Sequence, residues 1–239
     1  MTKRKSANLD APIWFDGTNI NEALFCDEFL SSRKIIFANG AFFTPDGRVT
    51  DDLPLRGEIA QAKLYATAMG IYELNIDGQK VGERYFAPGF TSYAHQLMYQ
   101  TYDVTDMLHS GSCITATVAG GWAVGSFVFT RVNRVTADRQ ALLAELRITY
   151  RDDRTEVIGT DESWQVTEDG PVRMADFYDG ETYDATAELD KAAWRSAVQE
   201  RLRVKPKLMA DYGADVKEHE TFMPVSCKKL GNALIYDCL

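Results

Sequence analysis

The fold is decided by the stretch Ala62-Lys-Leu-Tyr-Ala-Thr-Ala68, followed by Tyr72-Glu-Leu-Asn-Ile76 and then by Asp77-Gly78. Both runs alternate, which is the period of a half-buried β-strand. The first run places its leucine and last two alanines on one face, and its lysine, tyrosine and threonine on the other. The Asp-Gly pair predicts a hairpin turn, because both central positions of such a turn need a positive φ.

More alternating runs follow at short intervals, separated by turns rich in Gly, Asp and Asn. They lie at residues 98–104, 114–118, 142–150 and 155–158. Helical signals are limited to short turns, at residues 105–108 and 191–194. Short strands at this spacing predict an all-β fold, namely an antiparallel β-sandwich of the jelly-roll, galactose-binding-domain-like type.

The chain divides into three predicted parts. Residues 1–55 form an N-terminal extension whose strands, at 25–29 and 35–43, contribute to the sandwich. Residues 56–200 form the sandwich itself. Residues 201–239 are a linker followed by the truncated start of another β-domain, since the run Ala233-Leu-Ile-Tyr-Asp237 alternates and has no partner strand to follow it.

Composition bounds the function. The 239 residues are 45% hydrophobic and 26% charged, which is enough to bury a core. The net charge of -9 argues against a nucleic-acid partner and against binding to a membrane surface. No run approaches the roughly 20 apolar residues of a membrane span. The basic start Met1-Thr-Lys-Arg-Lys5 is not followed by an apolar stretch, so we expect a cytoplasmic protein.

The residue types that usually carry chemistry are scattered. Cys26, Cys113, Cys227 and Cys238 form no closely spaced pair, and the three histidines lie far from them, which argues against zinc. Gly120-Gly121 lacks the flanking pattern of a phosphate-binding loop, and no GxSxG is present. The sequence therefore predicts no required cofactor.

The densest acidic cluster lies in Ala175-Asp-Phe-Tyr-Asp-Gly-Glu-Thr-Tyr-Asp-Ala185. Its carboxylates are candidates for binding calcium or a sugar. The alternative is a solvated loop whose carboxylates satisfy their own turn backbone. Catalysis by Asp179 and Glu181 is disfavoured, because both come from one loop and a glycosidase needs carboxylates on opposite sides of a sugar.

Three aromatic residues in or beside loops are candidates for stacking on a sugar ring: Tyr85, Tyr93 and Trp122. The alternative is that they pack the end of the sandwich. Residue chemistry alone therefore indicates a β-sandwich with acidic and aromatic loops.

In order and spacing, the motifs resemble the N-terminal domain of bacterial α-L-rhamnosidases across roughly residues 62–197. Besides the two opening runs, the resemblance rests on Ala87-Pro-Gly-Phe90, Thr91-Ser-Tyr93, Tyr99-Gln-Thr-Tyr-Asp-Val-Thr105, Gly120-Gly-Trp122, Trp164, the acidic stretch 175–185 and Trp194. It implies an accessory domain of a glycoside hydrolase whose catalytic part is a downstream (α/α) barrel. No catalytic residue carries over to this chain, so the resemblance implies no hydrolysis by the chain alone.

The resemblance also implies an alternative function. Some relatives use this domain as a calcium-dependent rhamnose-binding module, with Asn-Gly at the hairpin turn and an Asp-Asn pair shortly after it. This chain has Asp77-Gly78 and then Gly82-Glu83, so Asp77 and Glu83 are the oxygens to test. The expected partners are the catalytic barrel and, in the alternative, a rhamnose-containing glycan. An apolar docking surface predicts self-association as well.

Overall fold

The computed structural model describes residues 36–37, 40–43, 57–126, 132, 134, 136–137, 139–168, 170–187, 195–199 and 206–238. Strands dominate these ranges. In chain order the elements are β1 (Ile36–Phe37), β2 (Gly40–Phe43), β3 (Ile59–Met69), β4 (Ile71–Ile76), β5 (Gln79–Lys80), β6 (Gln96–Asp103), a 3-10 turn (Thr105–Met107), β7 (Ile114–Ala119), the single-turn helix α1 (Gly121–Val124), β8 (Ala141–Tyr150), β9 (Thr155–Gly159), β10 (Gln165–Val166), β11 (Val172–Asp176), β12 (Gly180–Tyr183), β13 (Arg195–Ser196), β14 (Val198–Gln199), β15 (Lys207–Ala210), β16 (Ser226–Leu230) and β17 (Ala233–Asp237).

Two large sheets carry the fold. A seven-stranded sheet has the order β14-β1-β8-β3-β6-β15, with β9 also paired to β8. A six-stranded sheet has the order β13-β10-β2-β7-β4-β5. The pairings in both sheets are antiparallel except that of β15 with β6, which is parallel. The predicted all-β sandwich is confirmed.

The main core lies where the apolar faces of the two sheets meet. Successive side chains of a strand point to opposite faces, so the alternating runs each contribute every second residue. The largest contributors to this core that are almost fully buried are Leu64 and Leu142 from one sheet and Leu74, Ile76 and Ile114 from the other. The strands predicted at 62–68, 72–76, 98–104, 114–118, 142–150 and 155–158 all correspond to observed strands.

The second face of β3 is buried too. Tyr65 is only 6% exposed and Thr67 is 0% exposed. Tyr65 belongs to a second apolar cluster that includes Leu97, Tyr99 and Leu208. The prediction of a half-buried strand is therefore wrong for the centre of β3, because later segments of the chain cover its other face.

The predicted hairpin joins β4 to β5. Asp77 has a φ of 52° and Gly78 a φ of 80°, so both central positions of the turn lie in the left-handed region. The Asp77 carboxylate accepts the Cys113 backbone N–H at 2.8 Å, which ties the turn to the start of β7.

The chain after residue 205 is tied to the sandwich. β15 runs parallel to β6, and Leu208 is 1% exposed. Beyond β15, Asp211 and Asp215 form ion pairs with Arg84. A strand thus lies within the segment predicted to be a linker, while the three-part division of the chain stays a prediction.

The short strands β1 and β2 join the seven-stranded and the six-stranded sheet, respectively. The possible strand at 25–29 and the helical turn at 191–194 lie outside the described residues. No helix within the described ranges is long and apolar enough to cross a membrane.

Candidate functional site

Five aromatic side chains gather on the surface, and we call them the aromatic patch: Phe86, Phe90, Trp122, Phe177 and Tyr178. The Trp122 and Phe177 rings are the closest pair, with centroids 4.5 Å apart. Phe177 also contacts Phe86 at 5.4 Å and Tyr178 at 5.3 Å, and Phe90 lies 6.2 Å from Trp122. Phe90 remains 56% exposed. These edge and tilted contacts are the geometry that aromatic rings favour.

The loop between β5 and β6 supplies two of these rings. Phe86 has a φ of 58°, which is uncommon for a bulky residue. Its neighbour Ala87 is held in a bridge to β4, where the Tyr72 N–H donates to the Ala87 carbonyl at 2.8 Å. The Gly89 N–H then donates to the Phe86 carbonyl at 3.0 Å. Backbone bonds therefore fix the loop at Phe86 and at the residue that follows it.

Helix α1 supplies Trp122, and two glycines allow its position. Gly121 has a φ of 50°, and a side chain there would press on Ile71 at the start of β4. The Gly120 N–H donates to the Ala175 carbonyl of β11 at 3.3 Å. The Gly-Gly pair before Trp122 thus lets α1 lie close to both β4 and β11.

The hairpin of β11 and β12 supplies Phe177 and Tyr178, and Asp176 holds it in place. One Asp176 carboxylate oxygen accepts the Tyr178 N–H at 2.7 Å and the Asp179 N–H at 3.0 Å. The other accepts the Ser126 N–H at 2.5 Å. A side chain on Gly125 would collide with this carboxylate. Asp176 therefore shapes the hairpin turn and fastens it to the loop after α1.

The remaining acidic residues of this stretch have separate surroundings. Asp179 accepts the Ser126 hydroxyl, at the border of the patch. Glu181 lies on β12, opposite Ala175 of β11. Asp184 accepts the backbone N–H and the hydroxyl of Thr186, and these bonds lower the pKa of its carboxyl. The turn-capping interpretation accounts for Asp176 and Asp184.

Asp77 and Glu83 have different neighbours in the structure. Asp77 bonds the Cys113 N–H with one oxygen and lies 3.1 Å from the His109 ring with the other. Glu83 points to solvent, 3.8 Å from the Lys217 ammonium. Among the residues that the structure describes, no three His, Cys, Asp or Glu side chains are grouped to hold a metal ion. Calcium binding by Asp77, Glu83 and nearby loop oxygens stays a prediction.

The two predicted tyrosines differ from Trp122. Tyr93 is 1% exposed and donates its hydroxyl to the Gly89 carbonyl at 2.9 Å, and burial raises the pKa of its phenol. Tyr93 supports Phe90 from beneath, with ring centroids 6.2 Å apart, and cannot offer a face to a ligand. Tyr85 is 42% exposed, and the Lys80 ammonium lies 3.4 Å from its ring centroid in a cation–π contact on one face.

Of the sequence candidates, the structure brings Trp122 and Asp179 to one surface. It adds four aromatic residues that were not chosen as site residues: Phe86, Phe90, Phe177 and Tyr178. All four lie in or next to the stretches that carry the family resemblance. The sequence signal that could have identified them is the presence of aromatic residues at several turn positions.

Comparison with known proteins points in one direction. The profile of the family described as "Alpha-L-rhamnosidase N-terminal domain" matches residues 57–223. An α-L-rhamnosidase of Streptomyces avermitilis is 40% identical over 140 residues, covering 58% of this chain and 13% of its own length. One from Formosa agariphila is 32% identical over 166 residues, covering 64% and 18%. The chain thus spans less than a quarter of these relatives.

Solved structures agree. The Streptomyces avermitilis α-L-rhamnosidase complexed with L-rhamnose superposes with a TM-score of 0.70 and 28% identity, covering 82% of this chain and 19% of its own. The native enzyme from Aspergillus terreus superposes with a TM-score of 0.74 and 26% identity, covering 85% and 25%.

Proposed function

The chain belongs to the family of α-L-rhamnosidase N-terminal domains, and from this premise we propose that it acts as the accessory domain of such an enzyme. It hydrolyses nothing alone, and it supports a separate catalytic (α/α) barrel. The relatives are far longer than this chain, which fits a domain that works beside a catalytic one.

The observation that carries the proposal is the aromatic patch. Phe86, Phe90, Phe177 and Tyr178 are each at least 42% exposed. Phe177 contacts Phe86 and Tyr178, and Phe90 is connected to them through Trp122. A contiguous exposed apolar surface of this kind usually marks an interaction site. Asp176, in the stretch 175–185 that resembles the family, accepts the hydrogen bonds that hold this surface together. We therefore assign the patch to docking against the barrel.

Catalysis by the chain itself is disfavoured by geometry. Asp179 lies in the turn of the β11–β12 hairpin, and Glu181 lies two residues later on β12. Both carboxylates therefore come from one hairpin, whereas a glycosidase needs its two carboxyl groups on opposite sides of the sugar. We expect no hydrolysis of p-nitrophenyl α-L-rhamnopyranoside above the buffer rate. Hydrolysis that Asp179→Asn or Glu181→Gln abolished would show the chain to be an enzyme.

Docking is tested with a rhamnosidase barrel expressed without its own N-terminal domain, for example from the Streptomyces avermitilis relative. Calorimetry or gel filtration should detect a complex with this chain. Phe177→Ser should weaken it at least tenfold, because the ring at the centre of the patch is lost. Tyr183→Ser is the matched control, since Tyr183 is an exposed aromatic on the same hairpin, 59% accessible and outside the patch. No complex, or equal loss in both variants, contradicts docking through the patch.

The alternative is a carbohydrate-binding module for L-rhamnose or a related glycan. It is favoured by the exposed rings of Phe90 and Phe177, which can stack on the C–H face of a sugar, with the Asp179 carboxylate at the border. Titration of the chain with L-rhamnose, with calcium and then with a chelator, separates the two functions. Heat that saturates with a dissociation constant between micromolar and millimolar supports binding, provided that Phe177→Ser abolishes it. Such constants correspond to a binding free energy of about −8 to −4 kcal/mol. If no heat is detected in either condition, docking to the barrel remains as the proposed function.

A further inference from the structure

The segment that follows β15 lies against the loop between β5 and β6, and we call its residues 211–217 the strap. The Tyr85 N–H donates to the Val216 carbonyl at 2.7 Å. Arg84 pairs with Lys217 in an antiparallel bridge. The strap therefore pairs with the two residues that immediately precede the first ring of the aromatic patch.

Arg84 is the charged link between the loop and the strap. Its guanidinium forms ion pairs with the carboxylates of Asp211 and Asp215. The side chains of Arg84 and Asp211 are only 13% and 11% exposed, so salt screens their attraction much less than that of a surface pair. Asp215 directly precedes Val216, and its ion pair therefore lies beside the hydrogen bond from the Tyr85 N–H to the strap.

Asp211 connects this link to the seven-stranded sheet. Its backbone N–H donates to the Tyr99 carbonyl of β6 at 3.1 Å. The side-chain amide of Gln100, the next residue of β6, donates to the Asp211 carboxylate at 3.3 Å and to the Pro88 carbonyl at 3.1 Å. The strap therefore starts at a fixed point of the sheet, from which Gln100 also reaches the loop beyond Phe86.

Phe86 needs this support because its backbone is strained. A φ of 58° is costly for a bulky residue, and such a conformation persists only where the surrounding structure enforces it. The chain is held directly before Phe86 by the bond of Tyr85 to the strap, and directly after it by the bridge of Ala87 to β4. In this conformation the Phe86 ring lies 5.4 Å from the Phe177 ring. Loss of the bond to the strap should let the backbone relax and carry the ring away from the patch.

We propose that Arg84 is a positioning residue of the aromatic patch. By pairing with Asp211 and Asp215 it holds the strap against the loop, and the strap holds Phe86 in the conformation that its contact with Phe177 requires. The proposal rests on the proposed docking function only for its consequence, which is that Arg84 strengthens docking by acting through Phe86. The arrangement of the loop itself is measured without a partner.

Amide hydrogen exchange of the full chain, followed residue by residue with NMR, tests the positioning. The Tyr85 N–H reports the bond to the strap, and the Gly89 N–H, which donates to the Phe86 carbonyl, reports the turn at that ring. We expect Arg84→Met to accelerate exchange of both amides about tenfold, because loss of the ion pairs makes local opening of the loop easier. The Val81 N–H, which donates within the neighbouring β4–β5 hairpin, should keep its rate within about twofold.

Arg154→Met is the matched control, because Arg154 also pairs with an aspartate but lies in the β8–β9 turn. It should leave the exchange of Tyr85 and Gly89 unchanged. Arg84→Lys keeps the charge and loses the planar fork that reaches two carboxylates, so its rates should fall between those of the wild type and Arg84→Met. This milder variant also decides the matter if Arg84→Met does not fold. Unchanged rates at Tyr85 and Gly89, or equal acceleration at Val81, overturn the proposal, since the second result would mean that Arg84 supports only overall stability.

The consequence for docking is measured by calorimetry with a rhamnosidase barrel expressed without its own N-terminal domain. Arg84→Met should raise the dissociation constant about tenfold in the wild-type chain, and less than about twofold in a chain that already carries Phe86→Ser. The difference arises because a residue that acts through Phe86 has no ring left to position. Equal factors in the two backgrounds contradict action through Phe86. If the wild-type chain forms no complex, the docking function fails, and the exchange rates alone decide whether Arg84 positions the loop.

Discussion

At the scale of single residues, Asp176 contributes most to the candidate site because it bonds two segments at once. Asp176→Ala removes the acceptor for the N–H groups of Ser126, Tyr178 and Asp179. Hydrogen bonds to a charged group are worth more than neutral ones, so we expect the free energy of unfolding to fall by about 2 kcal/mol. Urea unfolding measures this change, and Trp122 fluorescence should shift as the hairpin leaves α1.

Asp161→Ala is the control for this prediction. Asp161 accepts the N–H and hydroxyl of Ser163 in an exposed turn, and the bonds that we describe for it stay within that turn. Its loss should cost less than about 0.5 kcal/mol, as is usual at the surface. Equal losses in the two variants would mean that Asp176 acts only as a local turn cap.

The sequence identified the acidic part of the site better than the aromatic part. The Asp176 turn could be interpreted because a carboxylate that caps its own backbone acts over two or three residues, and such spacing is visible in sequence. Phe86, Trp122 and Phe177 come from three separate segments, and their contact depends on how the sheets place those segments. No local pattern reports that contact. The burial of Tyr93 and the contact of Tyr85 with Lys80 are tertiary effects too, so the sequence does not show them. A sugar-binding role of these two tyrosines stays a prediction.

At the scale of elements, the alternation of apolar and polar residues correctly predicted strands that bury only one of their two faces. β4 and β7 each show the predicted period of buried and less buried residues. The alternation underestimated the burial of β3, whose centre is buried on both faces. It also gave no indication of β15. The segment that leads into β15, Arg203-Val-Lys-Pro-Lys207, has linker composition, and four strand residues are too few to show a period. Pairing with β6 creates that strand.

Strands β4 and β6 are also joined by a pair of tyrosines, the buried Tyr72 and the half-buried Tyr102, that should make stability fall at high pH. The Tyr72 hydroxyl lies 3.2 Å from that of Tyr102 and donates to the Gln100 side chain at 2.7 Å. Burial is the largest cause that raises the pKa of both phenols above the ordinary 10.0. Above pH 10 the unfolded chain releases these protons and the folded protein does not. Stability from this pair is therefore fully present below pH 10 and is lost as pH rises beyond it.

Urea unfolding between pH 8 and pH 11.5 checks this prediction. Each tyrosine adds at most about 1.4 kcal/mol of loss per pH unit. Tyr72→Phe should lower stability at pH 8, because the Gln100 side chain loses a buried donor, yet it should flatten the alkaline slope. Tyr212→Phe, at a residue that is 67% exposed, should leave the slope unchanged. An unchanged slope in Tyr72→Phe would contradict the assignment.

At the scale of the whole molecule, the open question is where the sandwich ends along the chain. Composition predicts its end near residue 200, whereas the family profile continues to residue 223 and β15 lies between these limits. The buried side chain of Leu208 and the ion pairs of Arg84 with Asp211 and Asp215 connect that segment to the fold. The hairpin β16–β17 has no comparable contacts among those described. These contacts favour an end between β15 and β16.

Two truncated chains decide between these limits. A chain ending at Pro224 loses only the exposed hairpin, so its free energy of unfolding should stay within about 0.5 kcal/mol of the full chain. A chain ending at Val204 also loses Leu208 and the partners of Arg84, and it should lose about 3 to 5 kcal/mol, the range for emptying a buried leucine site. Leu208→Ser and Leu230→Ser, the second at a residue that is 69% exposed, reproduce the contrast in the full chain. Equal stability of the two truncated chains would place the end of the sandwich before β15, as composition predicts.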